Sequence, residues 1–262
     1  MNNQPNLIKL ALHSLLALEG KGHTIQVDPI PLALPGLPKE FHLARVAVVA
    51  DLHLPNGLVT IPRLARTIAL QQPDAIFLAG DMTNSYADFD AEGLRQLAAA
   101  LTPIAPCFAV PGNHELRMGR EPLYRQILTE GGVQYLCDDY ADWHKDGGTL
   151  RLYGMGRKRP HRLAVSGQPS IVLAHRPEYM DYYREAGWDL VISGHAHGGH
   201  VRVGGHSLFA PDQGFLPRYT HGVYQEGGTR MVVSRGLGNS SIPWRVNNPP
   251  HLPMLILSAK QI

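Results

Sequence analysis

Cysteine is almost missing from this chain. The 262 residues hold two, Cys107 and Cys137, each in an apolar setting (CFAV and YLCD). That leaves no basis for a disulfide framework and suits small core residues in a reducing compartment. An excess of one charge is missing too. Lys plus Arg total 24 and Asp plus Glu 22, a formal net charge of +2, so no global field points to nucleic acid. No apolar run reaches the roughly 18 residues of a membrane span. The most apolar N-terminal stretch, LIKLALHSLLALEG at 7 to 20, is interrupted by Lys9, His13 and Ser14. It lacks the basic cluster and cleavage site of a signal peptide. Its broad apolar face predicts a helix packed on the domain, and its polar face has little of the positive charge of an interfacial membrane helix. Internal repeats and low-complexity tracts are absent as well.

Histidine is plentiful, with 14 residues, and so is a rhythm of alternating elements. RVAVVA, DAIFLAG and APCFAVPG read as strands. TIPRLARTIALQQ, FDAEGLRQLAAAL and EPLYRQILTEGG fall between or after them with helical spacing. Strand and helix in alternation mean βαβ units and a mainly parallel sheet. The second half reads as short strands (GTLRLYGM, PSIVLAH, DLVISGH, HGGHVRV, GHSLFA, TRMVVSR, PMLILSA) with one helix at 176 to 187. The expected fold is an α/β sandwich of two central mixed sheets flanked by helices. Residues 1–40 form an appended helix and extended segment, and 41–262 form the domain.

The apolar runs end in polar motifs. RVAVVA leads to Asp51 and His53, AIFLAG to Asp81, CFAVPG to Asn113, His114 and Glu115, IVLA to His175, and LVISG to His195 and His197. In a parallel α/β sheet the site lies beyond the carboxyl ends of the strands, so five runs deliver their polar ends to one edge. Carboxylate and imidazole donors suit zinc, manganese or iron. Seven donor groups (Asp51, His53, Asp81, Asn113, His175, His195, His197) are too many for one ion, but two ions could share them through a bridging carboxylate. Each residue has a plain alternative: a cap, a turn or a buried core histidine. Convergence argues against five such coincidences.

DLH at 51 to 53, GD at 80 to 81, GNHE at 112 to 115, His175 and GHAH at 194 to 197 together resemble the calcineurin-like metallophosphoesterases, over about residues 45 to 200. The resemblance implies a two-sheet sandwich and two divalent ions (manganese, iron or zinc). Asp51, His53 and His197 would hold one ion, Asn113, His175 and His195 the other, and Asp81 would bridge them. It also implies attack on phosphorus by a bridging hydroxide, with His114 facing the scissile phosphate as catalytic acid. Glu115 is a candidate partner for a histidine, with a plain surface glutamate the alternative. The segment before DLHL, GHAHGG and SRGLGNSSIPWRVNNPPHLPMLIL are similar to a bacterial phosphodiesterase subgroup that includes UDP-2,3-diacylglucosamine pyrophosphatases. The loop GRKRPHR departs from that subgroup. Arg157, Lys158 and Arg159 there, with Arg235 in SRGLG, are candidate substrate contacts; a solvated basic loop and a structural turn are the alternatives.

The expected activity is therefore hydrolysis of a phosphodiester or pyrophosphate bond. A phosphomonoesterase or protein phosphatase is the alternative within enzymes, and a non-catalytic scaffold the alternative outside them. The expected substrate is a phosphorylated small molecule or a lipid-linked one. The expected location is cytoplasmic, with peripheral contact at the inner membrane face open to the N-terminal segment. No protein partner is indicated.

Overall fold

The computed structural model describes residues 24–260, except Asn56, Tyr86, Met118, 157–166, Gly205 and 240–243. One six-stranded sheet contains β1 (Gln26–Ala33), β2 (Arg45–Val49), β3 (Ala75–Ala79), β4 (Cys107–Val110), β5 (Gln134–Tyr135) and β16 (His251–Ser258). Its order is β1-β16-β2-β3-β4-β5, and every pairing is parallel except β16 with β2. The second sheet contains β6 (Asp139–Lys145), β7 (Gly148–Gly154), β8 (Ile171–Leu173), β9 (Leu190–Ser193), β14 (Gly222–Glu226) and β15 (Thr229–Val233). Its order is β14-β15-β9-β8-β7-β6, parallel in the centre and antiparallel at both edges. Short hairpins, β10 (Arg202–Val203) with β11 (His206–Ser207) and β12 (Phe209–Ala210) with β13 (Gly214–Phe215), follow β9.

The two-residue period of a strand decides what each face touches. In β2, Val46 and Val48 face the other sheet, while Ala47 and Val49 face helices; β3 divides Phe77 from Ile76 and Leu78 in the same way. Strands buried on both faces must be continuously apolar, which is why these runs are conspicuous in the sequence. Helices α1 (Ile61–Leu70), α2 (Ala91–Leu101) and α4 (Glu121–Glu130) cover the outer face of the first sheet through Leu64, Ile68, Leu94, Leu97, Tyr124, Ile127 and Leu128. The intervening α3 (Asn113–Arg117) is one short turn of helix at the end of β4. Helix α5 (Met180–Glu185), preceded by a 3-10 turn at Pro177–Tyr179, covers the second sheet through Met180 and Tyr183. Asp90 caps α2 by accepting from Gly93 N–H at 2.8 Å, satisfying one of its free donors.

The structure departs from the sequence reading in several places, one being the unexpected edge strand β14. The edge strand β6 is unexpected, because DYADWHK is mostly polar and buries fully only Trp143. HGGHVRV yields a 3-10 turn at His197–Gly199 and only a two-residue strand, because Gly198 and Gly199 turn the chain through positive φ. The 176 to 187 helix is shorter than expected. The helix at 7 to 20 lies outside the described residues. Among the described residues, no helix is long and apolar enough to cross a membrane. Both cysteines are free, Cys107 in the core.

Trp143 ties the two sheets together. It lies edge-on to Phe41 (4.8 Å between ring centroids) and to Phe77 (6.1 Å), and Phe77 meets Phe108 at 5.9 Å. Trp143→Ala should cost about 3–5 kcal/mol, the range for emptying an aromatic core position. Urea unfolding checks this, and a loss below ~1 kcal/mol would show that β6 contributes little to the sandwich.

Candidate metal centre

The site is assembled at the carboxyl ends of strands from both sheets: β2, β3 and β4 from one, β8 and β9 from the other. Asp51 and His53 follow β2 and are both fully buried. Between them, Leu52 is buried in the helix-facing core. His195 and His197 follow β9 and flank Ala196, which is buried in the core under α5. The spacing of two therefore lets alternate residues face the site while the one between anchors the loop. The backbone is forced into the left-handed region at Asp51, His53, Asp81, His195 and His197 (φ +48° to +67°), a conformation sparsely used by non-glycine residues and common at functional sites.

Three groupings of donors converge, each with its ligand atoms within 4.8 Å of one another: Asp51–His53–His197, Asp81–His175–His195 and His53–Asp81–His114. Asp81 belongs to two of them. His175 Nε2 lies 3.0 Å from Asp81 Oδ2 and 3.9 Å from Asp51 Oδ1. Asn113 Oδ1 and His53 Nδ1 are buried with no hydrogen-bond partner among the described residues. The structure thus brings Asp51, His53, Asp81, His114, His175, His195 and His197 together, with Asn113 between two residues that approach Asp81. Gly112 must be glycine, because a Cβ there would run into the Asp81 carboxylate.

Hydrogen bonds fix which ring nitrogens face inward. His175 Nδ1 donates to Ala79 O (2.8 Å), leaving Nε2 to face Asp81. His195 Nε2 donates to Asp212 Oδ2 (3.0 Å), leaving Nδ1 as the acceptor. Carboxylates and carbonyls that hold the far nitrogen of a metal-binding histidine orient the ring in this way. His114 differs. Ser85 N–H donates to its Nδ1 (2.8 Å), so the proton of the neutral ring sits on Nε2, 3.9 Å from Asp81 Oδ2. His114 is turned as a hydrogen-bond donor.

The electrostatics show a site short of positive charge. Burial pushes Asp51 up, against the pull of His175. Burial would also raise Asp81, but His175, His114 and His53 outweigh it and hold it well below the ordinary range. His175 is correspondingly raised to about 10, burial being overcome by Asp81 and Asp51. Buried paired carboxylates, an unpartnered amide oxygen and inward-facing imidazole nitrogens are the donors that divalent zinc, manganese or iron would need.

Several supporting residues escape the sequence reading or take other partners than expected. Glu115 is fully buried and bonds no histidine, which corrects the expectation for it. Its carboxylate accepts from Gly112 N–H (2.7 Å), Thr83 N–H (2.9 Å), the Thr83 hydroxyl (2.8 Å) and Asp81 N–H (3.1 Å), stapling the Asp81 loop to the Asn113 loop. Glu178 and Asp212 form a fourth donor grouping with His195. Arg176 lies 2.8 and 2.6 Å from these carboxylates and offsets one of their two charges, and Asp212 acts as the outer support of His195. Arg245 lies 3.4 Å from His197 Nδ1 and binds Asn239 Oδ1 and the carbonyls of Arg235 and Gly238, holding the SRGLGN loop against Asp51. None of these has a periodic or motif signal; only the position of Glu115 inside GNHE hints at it. Arg235 lies beside Gly198 rather than among the metal-binding donors. Arg157, Lys158 and Arg159 lie outside the described residues.

Two expectations follow. Glu115→Ala strands several buried N–H donors and should cost about 3–5 kcal/mol, the scale of breaking a buried charged network, with metal retention falling as well. Urea midpoints and metal analysis check this, and unchanged values for both would contradict the stapling role. In metal-free protein, burial holds His53 and His195 at about 3, against about 6.5 when unfolded. The unfolded chain therefore takes up protons that the folded chain refuses, and stability falls as pH drops below ~6.5. The raised His175 and Asp51 work the other way. The contribution of His175 is lost as pH rises from ~6.5 towards 10, and that of Asp51 as pH rises from ~4 to about 7. Burial also lowers His197 and His251, and together the lowered histidines outweigh Asp51 between pH 5 and 7. Chelator-treated protein should thus have a lower urea midpoint at pH 5 than at pH 7; a higher one would overturn this reading.

The sequence pattern of the family described as calcineurin-like phosphoesterase matches residues 44–199. Phosphodiesterase YaeI of Escherichia coli (strain K12) is 30% identical over 226 residues, covering 81% of this chain and 82% of its own. The metallophosphoesterase YkuE of Bacillus subtilis (strain 168) is 24% identical over 259 residues, covering 92% of this chain and 86% of its own. Among solved structures, TT1561 of Thermus thermophilus aligns over 74% of this chain and 90% of its own, with a TM-score of 0.49 and 13% identity.

Proposed function

Since the chain belongs to the calcineurin-like phosphoesterase family, we propose that it is a binuclear metal-dependent enzyme that hydrolyses a phosphodiester or pyrophosphate bond. The observation that carries this reading is the pair of buried donor trios, Asp51–His53–His197 and Asp81–His175–His195. In this reading Asp51, His53 and His197 hold one divalent ion, Asn113, His175 and His195 hold the other, and Asp81 is shared. Residues 41–262 form the catalytic domain in this reading, and β1 of the preceding segment completes its first sheet beside β16. The name phosphodiesterase carried by YaeI supports the diester over the monoester.

Bound there, two divalent ions supply Lewis-acid stabilisation of phosphoryl oxygens and make water acidic enough to attack phosphorus near neutral pH. The protein supplies the rest. Asp51 and Asp81 provide the negative charge that retains the ions. Ala79 O and Asp212 hold His175 and His195 in their tautomers. His114, with Nδ1 occupied by Ser85, presents the Nε2 proton to the phosphoryl or leaving oxygen as charge develops there. The surrounding core excludes bulk water, which strengthens each of these interactions.

Metal analysis and bis-aryl phosphate hydrolysis test the assignment. Asp81→Ala should lose both ions and His53→Ala mainly one. His114→Ala should keep both and lose roughly 10²–10⁴-fold in turnover, the scale of a positioned acid, with a smaller loss on substrates whose leaving groups need no proton. Full occupancy in the Asp81 variant would remove the shared ligand, and metal loss in the His114 variant would make it a ligand instead.

A further inference from the structure

Beside the turn that carries His197 lies a second cluster, made of positive charge. Arg235, two residues beyond β15, is 8% exposed, and its Nε has no hydrogen-bond partner among the described residues. Its Cγ and Cδ pack against Gly198, where an added Cβ would come within 2.9 and 3.0 Å of them. One amino group donates to Gln26 Oε1 at 2.8 Å. The carboxylate that acts on Arg235, Asp28, is 3.3 Å from His251 Nε2, whose ring accepts the Arg235 backbone N–H on its other nitrogen. Arg202, 7% exposed, reaches the same place from β10. Its amino groups approach Gly198 O at 3.4 Å and the two ring nitrogens of His221 at 2.9 and 3.0 Å.

The two guanidinium groups repel one another in a poorly solvated place. Burial and the nearby Arg202 lower Arg235. His221 is pushed down to about 4 by burial and by both arginines, so the ring stays neutral. Burying charges of one sign together is unfavourable unless an anion completes them. The outer end of the cluster is accessible, since Gln26 is exposed and His221 half-buried. A neutral amide at the surface end of the guanidinium is a partner that a charged oxygen would displace.

We propose that Arg235 and Arg202, with His221, form an oxyanion subsite that takes a phosphate group, separated from the metal centre by the Gly198 turn. Guanidinium is the donor suited to it, because its planar fork matches two phosphate oxygens and stays charged when desolvated. The phosphate has two sources: a second phosphoryl group of the substrate, or free phosphate. The first rests on the proposed function, and the second does not.

The test uses the full chain stripped of metal with a chelator, its fold checked by circular dichroism and inorganic phosphate titrated calorimetrically. Wild type should bind phosphate, and Arg235→Gln should weaken it roughly 10- to 100-fold, the scale of a lost charged hydrogen bond. Arg235→Lys should fall between, keeping the charge without the fork. A purely structural arginine would instead lower the melting temperature of the glutamine variant and leave phosphate affinity alone. That result, or no binding by wild type, would overturn the subsite. With manganese-loaded protein, a KM that rises more for a nucleoside diphosphate sugar than for a bis-aryl phosphate assigns the site to the substrate's second phosphate. Parallel changes assign it to free phosphate. If neither substrate is hydrolysed, the catalytic reading fails, and the phosphate titration still decides the subsite.

Discussion

Two carboxylates that cannot reach water govern this molecule. Asp51 and Asp81 are 0% and 1% exposed, they raise each other's need for positive charge, and each belongs to a trio of potential ligands. Burying one anion is unfavourable, and burying two within reach of the same histidine is tolerable only if cations are brought to them. Much of the surrounding chemistry answers that demand. Histidines converge on the two carboxylates, with His175 Nε2 3.0 Å from Asp81 Oδ2 and His53 Nε2 3.1 Å from His197 Nε2. The backbone amides of His195 and His114 donate to Asp51 and Asp81. Arg245 is held close by, where Asp51 acts on its charge.

The architecture converts that demand into position. Each sheet alone delivers part of the donor set: Asp51, His53, Asp81 and Asn113 from the first, His175, His195 and His197 from the second. The site therefore exists only where the sheets are packed in register. The aromatic contact of Trp143 with Phe41 and Phe77 lies in the same interface as the strands that end in ligands. A core fault and a metal-binding fault are thus expected to appear together, with no contact between the altered residue and the ion.

Most of the donors are legible because strand physics marks them. A strand buried on both faces is a continuous apolar run, and a polar residue directly after it stands at the sheet's carboxyl edge. That logic finds Asp51, Asp81, Asn113, His175 and His195 without coordinates. It fails where position depends on tertiary approach. Asp212 reaches His195 from a hairpin tip, Arg245 reaches His197 from an irregular segment before β16, and Ser85 meets His114 across a loop; no local period connects these pairs. β6 escapes for a related reason: an edge strand with a solvated outer face needs only Trp143 to be strongly apolar. Glu115 is misassigned because its neighbours in sequence are histidines, whereas its partners in space are amides.

The alternation of Asp51, Leu52 and His53, repeated as His195, Ala196 and His197, has an evolutionary corollary. Leu52 and Ala196 occupy two different apolar clusters, so each ligand loop is locked to its own half of the core by the residue between its donors. Sequence drift in either half must preserve the volume under that residue, or the pair of donors beside it shifts as a unit. In the hairpins that follow β9, Ala210 is buried in the same cluster as Ala196, whereas Phe215 and Leu216 stand 84% and 77% exposed. Divergence should accordingly accumulate at exposed positions such as Phe215 and Leu216, where a change disturbs neither cluster, while the ion-binding loops stay fixed.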